Sequence, residues 1–169
     1  MKKLLLATVF AFISYLGFSQ NGSKPSPATE TKATLTNGAE ISIKYGQPFL
    51  KGRTPGKDVE PMLNKIWRAG ANDATVFETS KDLKINGNIL PAGKYALFIL
   101  QKADGATIIF NKIWKQWGAF QYKEAEDALR VPATLTNNTE TAEKLVYSIN
   151  TKGMVQLLWG NLNFGFTVE

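Results

Sequence analysis

The sequence contains neither histidine nor cysteine among its 169 residues. Without histidine there is no Ser-His-Asp or Cys-His triad, no imidazole ligand for zinc, and no side chain that titrates near neutrality unassisted. Without cysteine there are no thiolate nucleophiles, thiolate metal sites or disulfides. No serine stands three residues before a lysine, so the Ser-x-x-Lys nucleophile pattern is missing too. "GNILPAGKY" (87–95) has the glycines and lysine of a phosphate loop, but five residues separate Gly87 from Gly93, and Tyr95 stands where Ser or Thr must hold magnesium. There is no Asp-x-Asp-x-Asp-Gly calcium loop. The sequence therefore predicts no cofactor and no metal.

Long apolar runs are also scarce. The one at the N-terminus, Leu4 to Phe18, follows Lys2 and Lys3, holds the small residue Gly17 near its end, and precedes Ser19 and a polar stretch. It is short for a membrane span and has the layout of a cleavable signal peptide over residues 1–19. The mature chain is therefore expected to have no transmembrane segment and, with no cysteine to lipidate, to be periplasmic or secreted without a lipid anchor. Cleavage would leave 169 − 19 = 150 residues, one domain's worth. It would also remove two of the 20 basic residues, leaving 18 against 14 acidic, a net +4. That is ordinary solubility charge and points to no nucleic acid partner.

What remains is β-rich. Residues 20–30, with Pro25 and Pro27 among small polar residues, have linker composition, and residues 31–169 read as a single domain. In "AEISIKY" Ile41, Ile43 and Tyr45 alternate with polar residues after an Asn37-Gly38 turn. "ATVFETS", "DLKI", "TIIFN", "VPATLT", "KLVYSIN", "MVQLLW" and "FGFTV" are further short strands, and the continuous apolar run of "KYALFIL" suits a central one. The sole helix candidate, "YKEAEDALR", is good for a turn or two. The pattern predicts an all-β antiparallel sandwich of eight or nine strands, with a jelly roll as one form of it.

Two stretches break the alternation, Pro48 to Asn72 and Asn111 to Arg130, and irregular segments on a rigid scaffold are where sites concentrate. The first leads into "KIWRAGANDATVF" (65–77). Its plain structural reading is a tight corner: Trp67 buried, Gly70 and Asn72 at positive φ, and Arg68 paired with Asp127 or Glu78. The functional reading is a polar pocket in which Arg68, Asn72 and Thr75 hold a ligand. The second segment adds Asn111, Trp114, Trp117, Asp127 and Arg130. Its indoles, beside Lys112, Lys115 and Lys123, suit stacking on sugars, contact with a membrane surface, or capping of the core. Asp73, Glu78, Glu124, Glu126 and Asp127 are the acids from which a hydrolytic pair would have to come.

"WRAGANDAT", "LPAGKYALF", "FNK…WGAFQY", "DALR" and "LLW" together resemble the secreted bacterial domain-of-unknown-function family 2911, over nearly the whole mature chain. The family pattern Trp-Arg-x-Gly-Ala-Asn-x-x-Thr falls on Trp67, Arg68, Gly70, Ala71, Asn72 and Thr75, with Asp73 where Glu is commoner. The resemblance implies an exported single domain and brings no activity with it. The reading that follows is non-catalytic binding of a polar small molecule or glycan, such as a cell-envelope fragment. The candidate site is Trp67, Arg68, Asn72, Thr75, Glu78, Asn111, Trp117, Asp127 and Arg130. The alternatives are a carboxylate-dependent hydrolase of a similar substrate and a purely structural envelope protein; the oligomeric state has no signature. Intact mass of the exported protein is expected to place its N-terminus at Gln20. A mature chain retaining Met1 would remove the export reading.

Overall fold

The computed structural model describes residues 26–169, so the expected signal peptide and most of the expected linker lie outside the described residues. Ten strands follow in order: β1 Ala28–Thr34, β2 Glu40–Gly46, β3 Ile66–Trp67, β4 Ala71–Thr79, β5 Leu83–Ile85, β6 Asn88–Leu90, β7 Gly93–Lys102, β8 Gly105–Asn111, β9 Asp127–Ile149 and β10 Met154–Thr167. The all-β expectation holds, and the helix candidate contracts to one 3-10 turn, Glu124–Glu126. "VPATLT" and "KLVYSIN", read as two strands, are parts of the 23-residue β9. β1 begins inside the stretch read as linker: its alternation of Ala, Thr, Glu and Lys buries little and leaves only a faint strand signal.

The main sheet is antiparallel, in the order β1-β2-β4-β7-β8-β9-β10, with β3 also paired to β7. Strands in it neighbour one another in chain order, a meander rather than the crossed connections of a jelly roll. The sheet curls because β9 serves two partners in turn. Its first residues pair with β8, and from Thr134 onward it pairs with β10. Its far end then meets the opposite side of the sheet. Leu50 N–H donates to Glu143 O (2.8 Å), Leu145 N–H to Pro48 O (3.1 Å), and the Thr31 hydroxyl to Tyr147 O (3.1 Å). The β5–β6 hairpin closes on the chain end through paired bonds between Lys84 and Glu169.

The curl encloses one apolar core. From β2, β4, β7 and β8 come Ile41, Ile43, Phe77, Leu97 and Phe110; from the β9–β10 ribbon come Leu145, Leu157, Trp159, Phe164 and Phe166. The rings of Phe77, Phe110 and Phe166 pack edge to face or tilted, 5.1–6.4 Å apart, a geometry worth about 0.5–1.5 kcal/mol per pair beyond burial. β7 is buried on both faces. Its Phe98 and Ala96 join Ala74 and Ile109 in a second, smaller cluster on the outer side, under Tyr122 and Ala119 of the segment after β8. A strand covered on both faces must read as continuously apolar, as "YALFIL" does. Phe110→Ala is expected to cost about 3–5 kcal/mol in denaturant unfolding, since Phe77, Tyr95 and Phe166 each lose an edge-to-face neighbour and the rigid sheet cannot collapse onto the void.

Candidate functional site

The site begins as an interruption of strand pairing. Trp67 of β3 lies opposite Ile99, and Thr75 of β4 lies opposite Leu97. The chain thus advances eight residues while its partner advances two, and the surplus leaves the sheet as a loop. Thr75 N–H donates to Arg68 O (3.2 Å) and closes it. Positive φ falls on Asn72 (64°), as its side chain allows, but also on Ala69 (53°) and not on Gly70. Ala69 is held there because its carbonyl accepts two buried hydroxyls, Thr75 Oγ1 (3.0 Å) and the Tyr147 phenol (2.8 Å). Burial pushes the Tyr147 phenol well above its ordinary value, so it remains a donor. Gly70 is required for closeness instead: a Cβ there would stand 2.7 Å from Thr75 Oγ1 and 3.2 Å from the Gly46 carbonyl. Asn72 uses its amide to bind Ser26 O (2.9 Å), which ties down the start of the described chain.

Arg68 does not pair with Asp127 or Glu78. Glu78 bonds to Lys94 (3.4 Å), Asp127 to Arg130 (3.3 Å), and among the described residues Arg68 forms no ion pair or hydrogen bond through its side chain. Its Nε is buried without an acceptor, and its guanidinium lies 5.9 Å from the centre of the Trp117 ring. Desolvation pulls its pKa below the ordinary guanidinium value, and the carboxylate of Glu60 opposes that from beyond ion-pair range. A guanidinium nevertheless stays charged. Arg68 faces a cleft of about 420 Å³ together with Arg53, Asp58, Glu60, Trp67 and Trp159. The two indoles are buried and form fixed walls; the Trp159 N–H donates to Glu60 O (2.7 Å). Asp58 accepts from Thr54 N–H (2.9 Å), and Arg53 donates to the carbonyls of Leu50 and Phe49 (2.9 and 2.8 Å). The charges around Arg68 are thus committed to loop backbone, and the Arg68 guanidinium is not.

The second irregular segment is a clasped loop. Asn111, fully buried, donates to Lys123 O (3.0 Å) and Asp127 Oδ1 (2.7 Å) and accepts from Ile113 N–H (3.0 Å). Asp127 also accepts from the Tyr122 phenol (2.8 Å), whose pKa burial and that carboxylate push far upward. Arg130 completes the base by bonding Glu124 (2.7 Å) and Asp127 (3.3 Å). The tip of the loop runs back to the first segment: Gly118 N–H donates to Asn72 O and Ala74 N–H to Gln116 O, each at 3.0 Å.

The two irregular segments therefore do meet, through Gln116 to Gly118. Of the residues proposed from sequence, Trp67 and Arg68 line the cleft, and Trp117 lies against the Arg68 guanidinium. Thr75 and Asn72 shape the loop that carries Arg68. Asn111, Asp127 and Arg130 form the base of the second loop and make no contact with Arg68, while Glu78 lies on the outer face of β4 with Lys94. Of the acids singled out, Glu124 and Asp127 come together, both paired to Arg130. Sequence reasoning did not name Arg53, Asp58, Glu60 or Trp159. The first three sit in the aperiodic "KGRTPGKDVEP" (51–61), where charged residues carry no periodic signal.

The model of a family described as "Protein of unknown function (DUF2911)" matches residues 26–168. No curated protein and no solved structure matches the chain.

Two substitutions separate the roles of the arginine and the clasp. Arg68→Met is expected to change unfolding free energy by no more than about 1 kcal/mol, because no ion pair is lost and a desolvation penalty is removed. Asp127→Ala is expected to cost about 1–3 kcal/mol, because the buried Asn111 amide and Tyr122 hydroxyl lose their acceptor. Denaturant midpoints at constant m-value measure both; a loss of several kcal/mol in Arg68→Met would assign Arg68 a structural partner.

Proposed function

We propose that this chain, which belongs to the family "Protein of unknown function (DUF2911)", is an exported binding module that holds a small polar ligand without transforming it. The ligand class is a glycan or cell-envelope fragment carrying an acidic group, and the site is the Arg68 cleft. One observation carries the reading: a half-buried guanidinium, still charged, has no acceptor among the described residues while the charges around it are all engaged. Leaving a buried donor unpaired costs about 1–3 kcal/mol, and a ligand carboxylate or phosphate would recover that through paired N–H···O bonds. Trp67 and Trp159 supply rigid apolar walls, and Glu60 and Asp58 can accept from ligand hydroxyls or amides at the rim. Export of the mature chain fits such a ligand and rests on the N-terminal sequence.

Hydrolysis is the second reading, since Asp58 and Glu60 share the cleft. Both carboxylates already accept backbone N–H groups, of Thr54 and Met62. That weighs against a free acid/base pair.

The test uses N-acetylmuramic acid and glycerol phosphate as acidic probes and N-acetylglucosamine as the neutral control. At about a hundredfold excess over Kd, a bound probe stabilises the protein by about 2.7 kcal/mol, a rise of several degrees in Tm. Acidic probes are expected to raise the Tm of the natural protein and not of Arg68→Met. Equal shifts in both proteins would remove Arg68 from the site, and cleavage of a glycan probe seen by mass spectrometry would favour the hydrolase.

A further inference from the structure

The loop between β8 and β9 holds its aromatic residues where folding normally does not leave them. Trp117 is 60% exposed and Phe120 80%, with Trp114 at 37%. The exposure does not come from a slack backbone. The base is clasped by Asn111, Asp127 and Tyr122, Lys112 N–H donates to Glu126 O (2.9 Å), and the tip is bonded to β4 at Asn72 and Ala74. Gly118, at φ 66°, lets the chain turn back so that Phe120 stacks on Trp117, 5.5 Å away with planes 4° apart; a Cβ on Gly118 would stand 2.9 Å from the Phe120 ring. The result is a rigid apolar tip presented to solvent.

The surroundings of that tip are cationic. Lys112, Lys115 and Lys123 are exposed and form no ion pair among the described residues, and Lys94 stands 5.4 Å over the Trp114 ring. The acids nearby are mostly engaged: Glu124 and Asp127 by Arg130, and Glu78 by Lys94. Asp73, beside Trp117, stays exposed, and Glu126, whose backbone carbonyl binds Lys112 N–H, forms no ion pair among the described residues. Aromatic rings at the tip with lysines around them match the chemistry of a lipid headgroup layer, where rings settle at the interface and ammonium groups meet phosphates. A sugar-stacking platform needs an open ring face. Here Phe120 and Arg68 stand against Trp117, and Lys94 against Trp114.

We propose that the loop 112–123 docks the protein onto an anionic lipid surface, with Trp117 and Phe120 entering the headgroup layer and Lys112, Lys115 and Lys123 facing the phosphates. The tip adjoins the Arg68 cleft through Trp117; Phe120 and the three lysines line no part of that cleft, so either reading can fail without the other. Because the loop is already ordered, docking pays little conformational entropy. One loop with three lysines gives reversible association, sensitive to salt.

The test is co-sedimentation of the exported protein with vesicles of phosphatidylcholine alone and of phosphatidylcholine with phosphatidylglycerol, followed also by tryptophan emission. Binding is expected to the phosphatidylglycerol vesicles, with a blue shift, and to weaken at high salt. Phe120→Ser is expected to lower partitioning about tenfold. Lys112→Gln, Lys115→Gln and Lys123→Gln together are expected to lower it about a hundredfold, with Tm unchanged in both variants. All proteins share one N-terminus, so the differences between them report the loop. The proposal is overturned if the natural protein ignores phosphatidylglycerol vesicles, or if both variants partition as it does. It is equally overturned if a neutral oligosaccharide such as chitotriose shifts the emission while vesicles do not.

Discussion

The carbonyl oxygen of Ala69 is the point on which the arrangement of this domain turns, because it accepts the Thr75 hydroxyl and the Tyr147 phenol in a site without water access. The first bond shapes the loop inserted between β3 and β4. The second fastens that loop to β9 near the end that curls back over the core, where Tyr147 also packs edge to face with Tyr45 at 4.8 Å. A residue at φ 53° that is not glycine is unfavourable alone and persists only where its surroundings over-determine it. Two buried donors on its carbonyl are such surroundings. From this anchor follow the outward path of Arg68 and the seat against which Gln116 to Gly118 dock.

The domain uses its two arginines near these loops in opposite ways. Arg130 is spent on structure: it joins Glu124 and Asp127 at the base of the second loop, where charges, an amide and a phenol satisfy one another. Arg68 is buried to a similar depth with no acceptor, against an indole and inside a cleft. Burying charge without a partner is unfavourable, so the same residue type marks a brace in one place and a receptor in the other. The clasp keeps the loop tip rigid, and the tip both covers Arg68 and displays Trp117 and Phe120.

Much of the scaffold was legible from local pattern. Strands with one buried face alternate with period two, as Ile41, Ile43 and Tyr45 do, and β7 reads as unbroken apolar sequence because it is covered on both sides. β1 and the continuity of β9 were not legible. The alternating residues of β1 are small or polar and only half-buried, and β9 changes partner midway, so its sequence looks like two strands with polar residues between them.

The candidate site divides in the same way. The sequence by itself determined that histidine and cysteine chemistry is impossible here, and that strand alternation breaks at Pro48 to Asn72 and at Asn111 to Arg130, because composition and hydrophobic alternation are local properties. It marked Arg68 as notable but could not say what the guanidinium meets. Which acids lie near an arginine depends on how distant segments cross, and tertiary structure sent Asp127 to Asn111, Tyr122 and Arg130, and Glu78 to Lys94. Tertiary structure alone also brought Glu60 and Asp58 from an aperiodic segment, and Trp159 from β10, to the cleft that Arg68 faces. Proximity across the sheet is set by the curl of β9 and the insertion before β4, neither of which has a period in the chain.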